Sequence, residues 1–257
     1  MNEDKEVREN IIEGRNPVLE ALKKKRTIEQ ILITKGDKEG VIRVIIAQAK
    51  ENKIPVKEVD KRKLDAMSQT KAHQGVIAIT SDYKYCQVED ILEYAEGKGE
   101  KPLIIILDEI EDPHNFGAII RTAEVLGAHG IIIPNRRNVG ITPIVSKGSA
   151  GAIEWIKIAK VTNINREIDS LKENGVWVYG ADMEGESYSF QEDYTRGTAI
   201  VIGSEGHGIS KLTKEKCDKI IKIPMTGHIS SLNASVALGM LLYETAVQRM
   251  KNENSFS

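Results

Sequence analysis

Apolar residues along this chain follow two rhythms, and their alternation predicts an α/β protein. Short, nearly continuous apolar segments recur at Leu103–Leu107, Gly130–Ile133, Ile156–Lys160, Val176–Gly180, Ala199–Gly203 and Ile220–Ile223. Such segments predict strands of a mostly parallel sheet covered on both faces, since neither face is kept polar for water. Between them, apolar positions spaced three and four apart predict helices at Phe116–Leu126, Ile141–Ala150, Asn165–Asn174, Ile209–Lys216 and Ser231–Met250.

The first 81 residues show the same alternation on a smaller scale. Asn16 reads as an N-cap, with Pro17 at the first helical position and Val18, Leu19 and Leu22 behind it. A strand at Gln30–Thr34, a helix at Gly40–Asn52, a strand at Pro55–Val59, a basic helix at Lys61–Met67 capped by Asp60, and a strand at Val76–Thr80 follow. The pattern lapses from Tyr83 to Lys101. A weak helix around Val88–Ala95 and the polar run Glu96-Gly-Lys-Gly-Glu-Lys101 read there as a linker. The expected organisation is a small N-terminal domain over 1–81, a linker over 82–101 and a larger domain over 102–257.

Charge sharpens that division. Residues 1–80 hold 17 Lys and Arg against 13 Asp and Glu, and the remainder holds 19 against 25. A basic module joined to an acidic one fits a nucleic-acid-binding arm on an enzyme, although a lysine-rich composition gives the same asymmetry. The first ten residues are charged and acidic, which predicts no secretory leader. The apolar segments are too short to span a bilayer. Cys86 and Cys217 are far apart with no CxxC, which argues against a disulfide framework and a cysteine zinc site. A cytoplasmic location is expected.

Three polar motifs stand where strands stop, the place where open α/β folds set their ligand sites. The first is Asn115-Phe-Gly-Ala-Ile-Ile-Arg121; Asn115 can cap the following helix, and Arg121 could simply pair with Glu124. The second is Gly203-Ser-Glu-Gly-His-Gly208, with Glu205 at the loop centre. Its glycines follow the fifth strand of the larger domain instead of the first, which argues against a dinucleotide fingerprint. The third runs from Ile223-Pro-Met to Asn233. In it Ser230, Ser231, Asn233 and Ser235 crowd one helix start, more polar groups than a single cap requires. The five histidines lack metal-ligand spacing, and His114 and His207 read as loop hydrogen-bonders. Trp155 and Trp177 read as core.

All three motifs, in this order, resemble the SpoU (TrmH-like) family of RNA ribose 2′-O-methyltransferases, of the SPOUT superfamily. The likeness covers Leu103 to Glu244; Ala234 stands where the family often has valine. Gly14-Arg-Asn-Pro-Val-Leu-Glu-Ala-Leu22 and His73-Gln-Gly75 are similar to the RlmB-like subgroup. The resemblance implies a C-terminal α/β knot, a deep trefoil whose last helix threads a loop, behind a ribosomal-protein-like RNA-binding domain. It implies S-adenosylmethionine as cofactor, held by Gly203, Ile223 and Leu232. Catalysis would fall to Asn115, Arg121, Glu205, Ser231 and Asn233, in a homodimer whose sites are completed across the interface. The implied substrate is structured RNA, with a guanosine of 23S ribosomal RNA favoured and transfer RNA or a non-catalytic RNA-binding module as alternatives. No metal is expected, because the methyl donor is already activated. Lys23, Lys24, Lys25, Arg26, Lys61, Arg62 and Lys63 are expected to meet RNA phosphates.

Overall fold

The computed structural model describes residues 10–80, 83–228 and 231–254. Most of the acidic N-terminus and Ser230 of the third motif lie outside them. Two compact units emerge. One comprises Met1–Lys84, Phe116–Arg121 and Gly140–Trp155; the other comprises Tyr85–Asn115, Thr122–Val139 and Ile156–Ser257.

The first unit is built on a four-stranded mixed sheet. Its strands are β1 (Ile11–Glu13), β2 (Ile28–Thr34), β3 (Val56–Val59) and β4 (Val76–Thr80), in the order β1-β4-β2-β3. Only β2 and β3 run parallel. Helices α1 (Arg15–Lys23) and α2 (Val41–Glu51) close one face with Val18, Leu22, Ile42 and Ile45. Helix α3 (Lys61–Met67) supplies Leu64 to the other. Burying each such side chain contributes about 1.5–3 kcal/mol.

Two local expectations are corrected here. Asn16 is not the cap of α1: Gly14, at φ 99°, precedes the helix, and Gln74 Oε1 accepts the Arg15 backbone N–H at 3.1 Å. A cap supplied by a distant side chain leaves no local signal. Strand β1 was not foreseen, because three residues show no period. Its Glu13 is fully buried and accepts from the Ser68 hydroxyl and the Gln69 backbone N–H at 2.5 and 2.6 Å.

The second unit holds a seven-stranded parallel sheet. Its strands are β5 (Leu103–Asp108), β6 (Gly130–Pro134), β7 (Lys157–Val161), β8 (Trp177–Ala181), β9 (Ser187–Tyr188), β10 (Thr198–Gly203) and β11 (Lys219–Lys222). The order is β7-β6-β5-β10-β8-β11-β9, so β5 and β10 sit centrally and are buried along their whole length. The short β9 carries too few residues for a sequence pattern.

The stretch expected as a linker holds α4 (Val88–Gly97), whose Val88, Ile91 and Ala95 are buried. A side chain at Gly130 would come within 2.5 Å of Ile91, so glycine there lets α4 press onto β6. The remaining helices are α5 (Pro113–Val125), α6 (Pro143–Gly148), α7 (Ile164–Glu173), α8 (Lys211–Lys216) and α9 (Ala234–Asn254). No helix among the described residues is long and apolar enough to cross a membrane.

Candidate functional site

The carboxyl ends of β10, β8 and β11 surround a cleft of about 330 Å³. Loops 203–208, 181–184, 221–225 and 231–237 form its walls. Gly203, Ile223 and Leu232 all line it, as do Glu205 and Ser231. The walls are apolar at Ile202, Ile223, Met225 and Leu232, and polar at Asp182, Ser204, Glu205 and His207. Gly203 has no latitude: a Cβ there would overlap the Gly208 backbone, because Ser204 and Gly208 exchange backbone hydrogen bonds at 2.8 and 3.1 Å. Gly208 itself adopts φ 65°, a left-handed conformation suited to glycine.

Glu205 is fixed by two amides. Asn115 Nδ2 donates to Glu205 Oε1 at 2.8 Å, and Asn233 Nδ2 donates both to the same oxygen and, at 2.9 Å, to Asn115 Oδ1. This triangle joins the first, second and third motifs. It also bears on how two helices are capped. Helix α5 begins at Pro113 with Asp112 as its cap, accepting the His114 N–H at 2.9 Å, so Asn115 lies inside the first turn and its amide is free for Glu205. Asn233 caps α9: its Oδ1 accepts from the backbone N–H groups of Ser235 and Val236 at 3.0 and 3.3 Å.

Arg121 is exposed, six residues beyond Asn115 on α5 and about 120° around the helix from it. Among the described residues it pairs with no carboxylate, Glu124 included, and it is absent from the cleft lining. The imidazoles of His114 and His207 make no hydrogen bond among the described residues, contrary to the loop role expected of them; His207 lines the cleft. Among the described residues no cluster of His, Cys, Asp or Glu is placed to hold a metal.

The basic clusters divide. Lys25, Lys61, Arg62 and Lys63 are exposed. Lys23 bonds Glu20 at 2.7 Å, and Lys24 lies 3.3 Å from the centre of the Trp155 ring. Arg26 is corrected: it pairs with Glu154 at 2.7 Å, the two side chains only 14% and 7% exposed. Its charge is held inside the fold. Trp155 and Trp177 are not core either; they are 44% and 37% exposed, and Arg196 lies over Trp177.

Burial raises both thiols, Cys217 to about 12, so neither is a ready nucleophile. His129 is pushed down from its ordinary value chiefly by burial, against the pull of Glu100.

Comparison with known proteins decides the family. The profile of the SpoU rRNA Methylase family matches residues 102–243, more than half the chain. The chain belongs to the SpoU rRNA methylase family. Residues 11–86 match the RNA 2′-O ribose methyltransferase substrate-binding domain, and together the two profiles mark an RNA 2′-O-ribose methyltransferase. YacO of Bacillus subtilis, named for the TrmH family of tRNA/rRNA methyltransferases, is 46% identical over 239 residues, 93% of this chain and 95% of that one. The structure of the SpoU methyltransferase AviRb from Streptomyces viridochromogenes aligns with TM-score 0.82 at 24% identity, over 98% of this chain and 94% of that one. The AdoMet-bound rRNA methyltransferase of Sinorhizobium meliloti aligns with TM-score 0.78 at 25% identity, over 95% and 89%.

Proposed function

We propose that this SpoU-family chain methylates the ribose 2′-OH of a guanosine in 23S ribosomal RNA, with S-adenosylmethionine as donor and as a homodimer. The observation that carries the reading is the Asn115–Glu205–Asn233 triangle beside the cleft lined by Gly203, Ile223 and Leu232. The cleft fits the donor. Its volume is within the range of small-molecule sites, about 300–1,000 Å³. Its apolar walls suit the adenine, and the carboxylates of Asp182 and Glu205 suit a cationic sulfonium. When bound, S-adenosylmethionine supplies a methyl group on positively charged sulfur.

The chain's own residues then have three tasks. Gly203, Ile223 and Leu232 hold the donor and exclude water from it. Glu205, with Asn115 and Asn233 locking its rotamer, and Ser231 define the polar edge where the ribose enters. Arg121 gathers the RNA phosphate and stabilises negative charge growing on the 2′ oxygen as the hydroxyl proton passes to solvent water. A guanidinium, with pKa above about 12, makes a poor proton acceptor at neutral pH. An Arg121→Lys variant tests this role: a pH–rate curve displaced to follow a lysine pKa would make Arg121 the base.

Residues 1–81 would serve as the RNA-binding arm, with 82–101 joining it to the catalytic domain over 102–257. A homodimer is supported by the exposed apolar residues Val125, Val236, Met240 and Tyr243 on α5 and α9, and by an Arg121 that lacks a described partner. Light scattering should report a dimer, and Met240→Glu a monomer. Ribosomal RNA is favoured over transfer RNA because a basic arm separate from the catalytic domain suits a large folded target. Ribose-methylation mapping of RNA from cells lacking this protein tests the whole reading. One guanosine missing its methyl in 23S ribosomal RNA is expected; a lost mark in transfer RNA alone would move the assignment there.

A further inference from the structure

The four-stranded unit carries a second cavity, of about 780 Å³, that none of the chemistry above uses. It opens between the start of α1, the end of β2, α3 and the loop 71–75. Its floor is fixed by polar groups. His73 is 5% exposed, and its Nδ1 accepts the Gly75 N–H at 3.0 Å. Its Nε2 must then carry the proton, which it donates to Asp65 Oδ1 at 3.0 Å. Arg15 donates from Nε to the Gln74 carbonyl and from Nη2 to Asp37 Oδ2, both at 3.0 Å.

The same loop is strained. Lys71 and Gln74 adopt φ 52° and 53°, left-handed conformations that L side chains disfavour. Gly75 adopts φ 83°, and a Cβ there would come within 2.8 Å of Asp37 Oδ2. Backbone held in sparsely populated conformations concentrates at ligand clamps. The groups left over face outward. Asp37 and Asp65 are both engaged as acceptors, whereas Lys61 and Lys71 are exposed and pair with no carboxylate among the described residues. The Asn16 side chain and Gln74 Nε2 are likewise uncommitted among the described residues.

We propose that this cavity receives one unpaired nucleotide of the substrate RNA, with phosphates on Lys61 and Lys71 and the base edge against the amides of Asn16 and Gln74. The assignment rests on the RNA methyltransferase reading above. Duplex RNA hides its base edges and is read by shape across a broad surface, whereas a concave polar cavity admits a splayed base. The expected basic helix thus contributes Lys61 to this cavity, and Arg62 and Lys63 lie outside its lining.

Two measurements test it. A Lys61→Gln/Lys71→Gln variant should bind in vitro-transcribed 23S ribosomal RNA about tenfold or more weakly. The slope of log affinity against log salt should fall by about 1.4, twice the value per single-stranded phosphate, with S-adenosylmethionine affinity unchanged in calorimetry. Unaltered RNA affinity and slope would overturn the proposal. On the wild-type chain, adding that RNA should slow hydrogen exchange at residues 71–75; no slowing would also overturn it, independently of any variant. Equal slowing by guanosine 5′-monophosphate alone would replace RNA by a free nucleotide as the occupant. A wild-type chain protected at 71–75 that methylates no RNA would sink the methyltransferase reading and leave the cavity intact. Methylation without protection would sink the cavity alone.

Discussion

The Asn233 side-chain amide donates to Asn115 Oδ1 across 2.9 Å, tying the cap of α9 to the first turn of α5. One residue therefore has two duties that substitution can separate. Asn233→Asp keeps the oxygen that caps α9 but loses the amide and sets a second carboxylate beside Glu205. Its thermal midpoint should stay near wild type, while kcat/KM falls tenfold or more, about 1.4 kcal/mol of transition-state stabilisation. Asn233→Ala should lose the cap as well, at about 1 kcal/mol of stability. Equal midpoints for the two variants would separate the cap from stability.

Gly203→Ala should be a folding lesion as well as a binding one. Its new methyl group would overlap the Gly208 backbone, and backbone cannot yield as a side chain tip can. Overpacking costs about 1–3 kcal/mol even where side chains can move. Urea denaturation should show at least that loss, and calorimetry should show no S-adenosylmethionine binding.

Arg26→Ala should damage stability and spare RNA recognition. The variant leaves Glu154, 7% exposed, without its partner, a situation that typically costs about 3–5 kcal/mol. Lys25→Ala, on an exposed neighbour, should leave the denaturation midpoint within about 0.5 kcal/mol of wild type. The contrast is read by urea melts and RNA binding on the same samples.

His129 predicts a pH dependence. It accepts the Leu103 N–H at Nδ1 and donates from Nε2 to Glu100, a fully buried ring held neutral. Burial lowers its pKa in the fold, so the unfolded chain binds the extra proton first. The stabilisation is complete above about pH 6.5, the ordinary value, and declines as pH falls below it. Urea midpoints should drop from pH 7 to pH 5, and His129→Gln should flatten that slope. An unchanged slope would assign the dependence to other groups.

The sheet was legible because its central strands are buried on both faces, and continuous runs such as Leu103–Leu107 permit little else. The motifs were legible because glycine and asparagine cluster at strand ends. Side-chain destinations were not. Asn115 read as a cap until Asp112-Pro113 proved the stronger start, and only the folded chain brings Glu205 to its amide. Arg26 looked like its lysine neighbours; its partner Glu154 lies 128 positions away. Glu13 carried no hint of burial, since the hydroxyls and N–H groups that satisfy it come from residues 68–70. Local pattern encodes which face is apolar, whereas polar partnerships depend on chain segments meeting across long separations.

The cleft at the ends of β8, β10 and β11 draws its walls from four stretches, the last of them at residues 231–237. Translation runs from the amino end, so a nascent chain presents strands and an RNA-binding arm well before it owns a complete pocket. A cleft assembled from segments this far apart in the chain is complete only once residues 231–237 have been made and brought to the carboxyl ends of β8, β10 and β11.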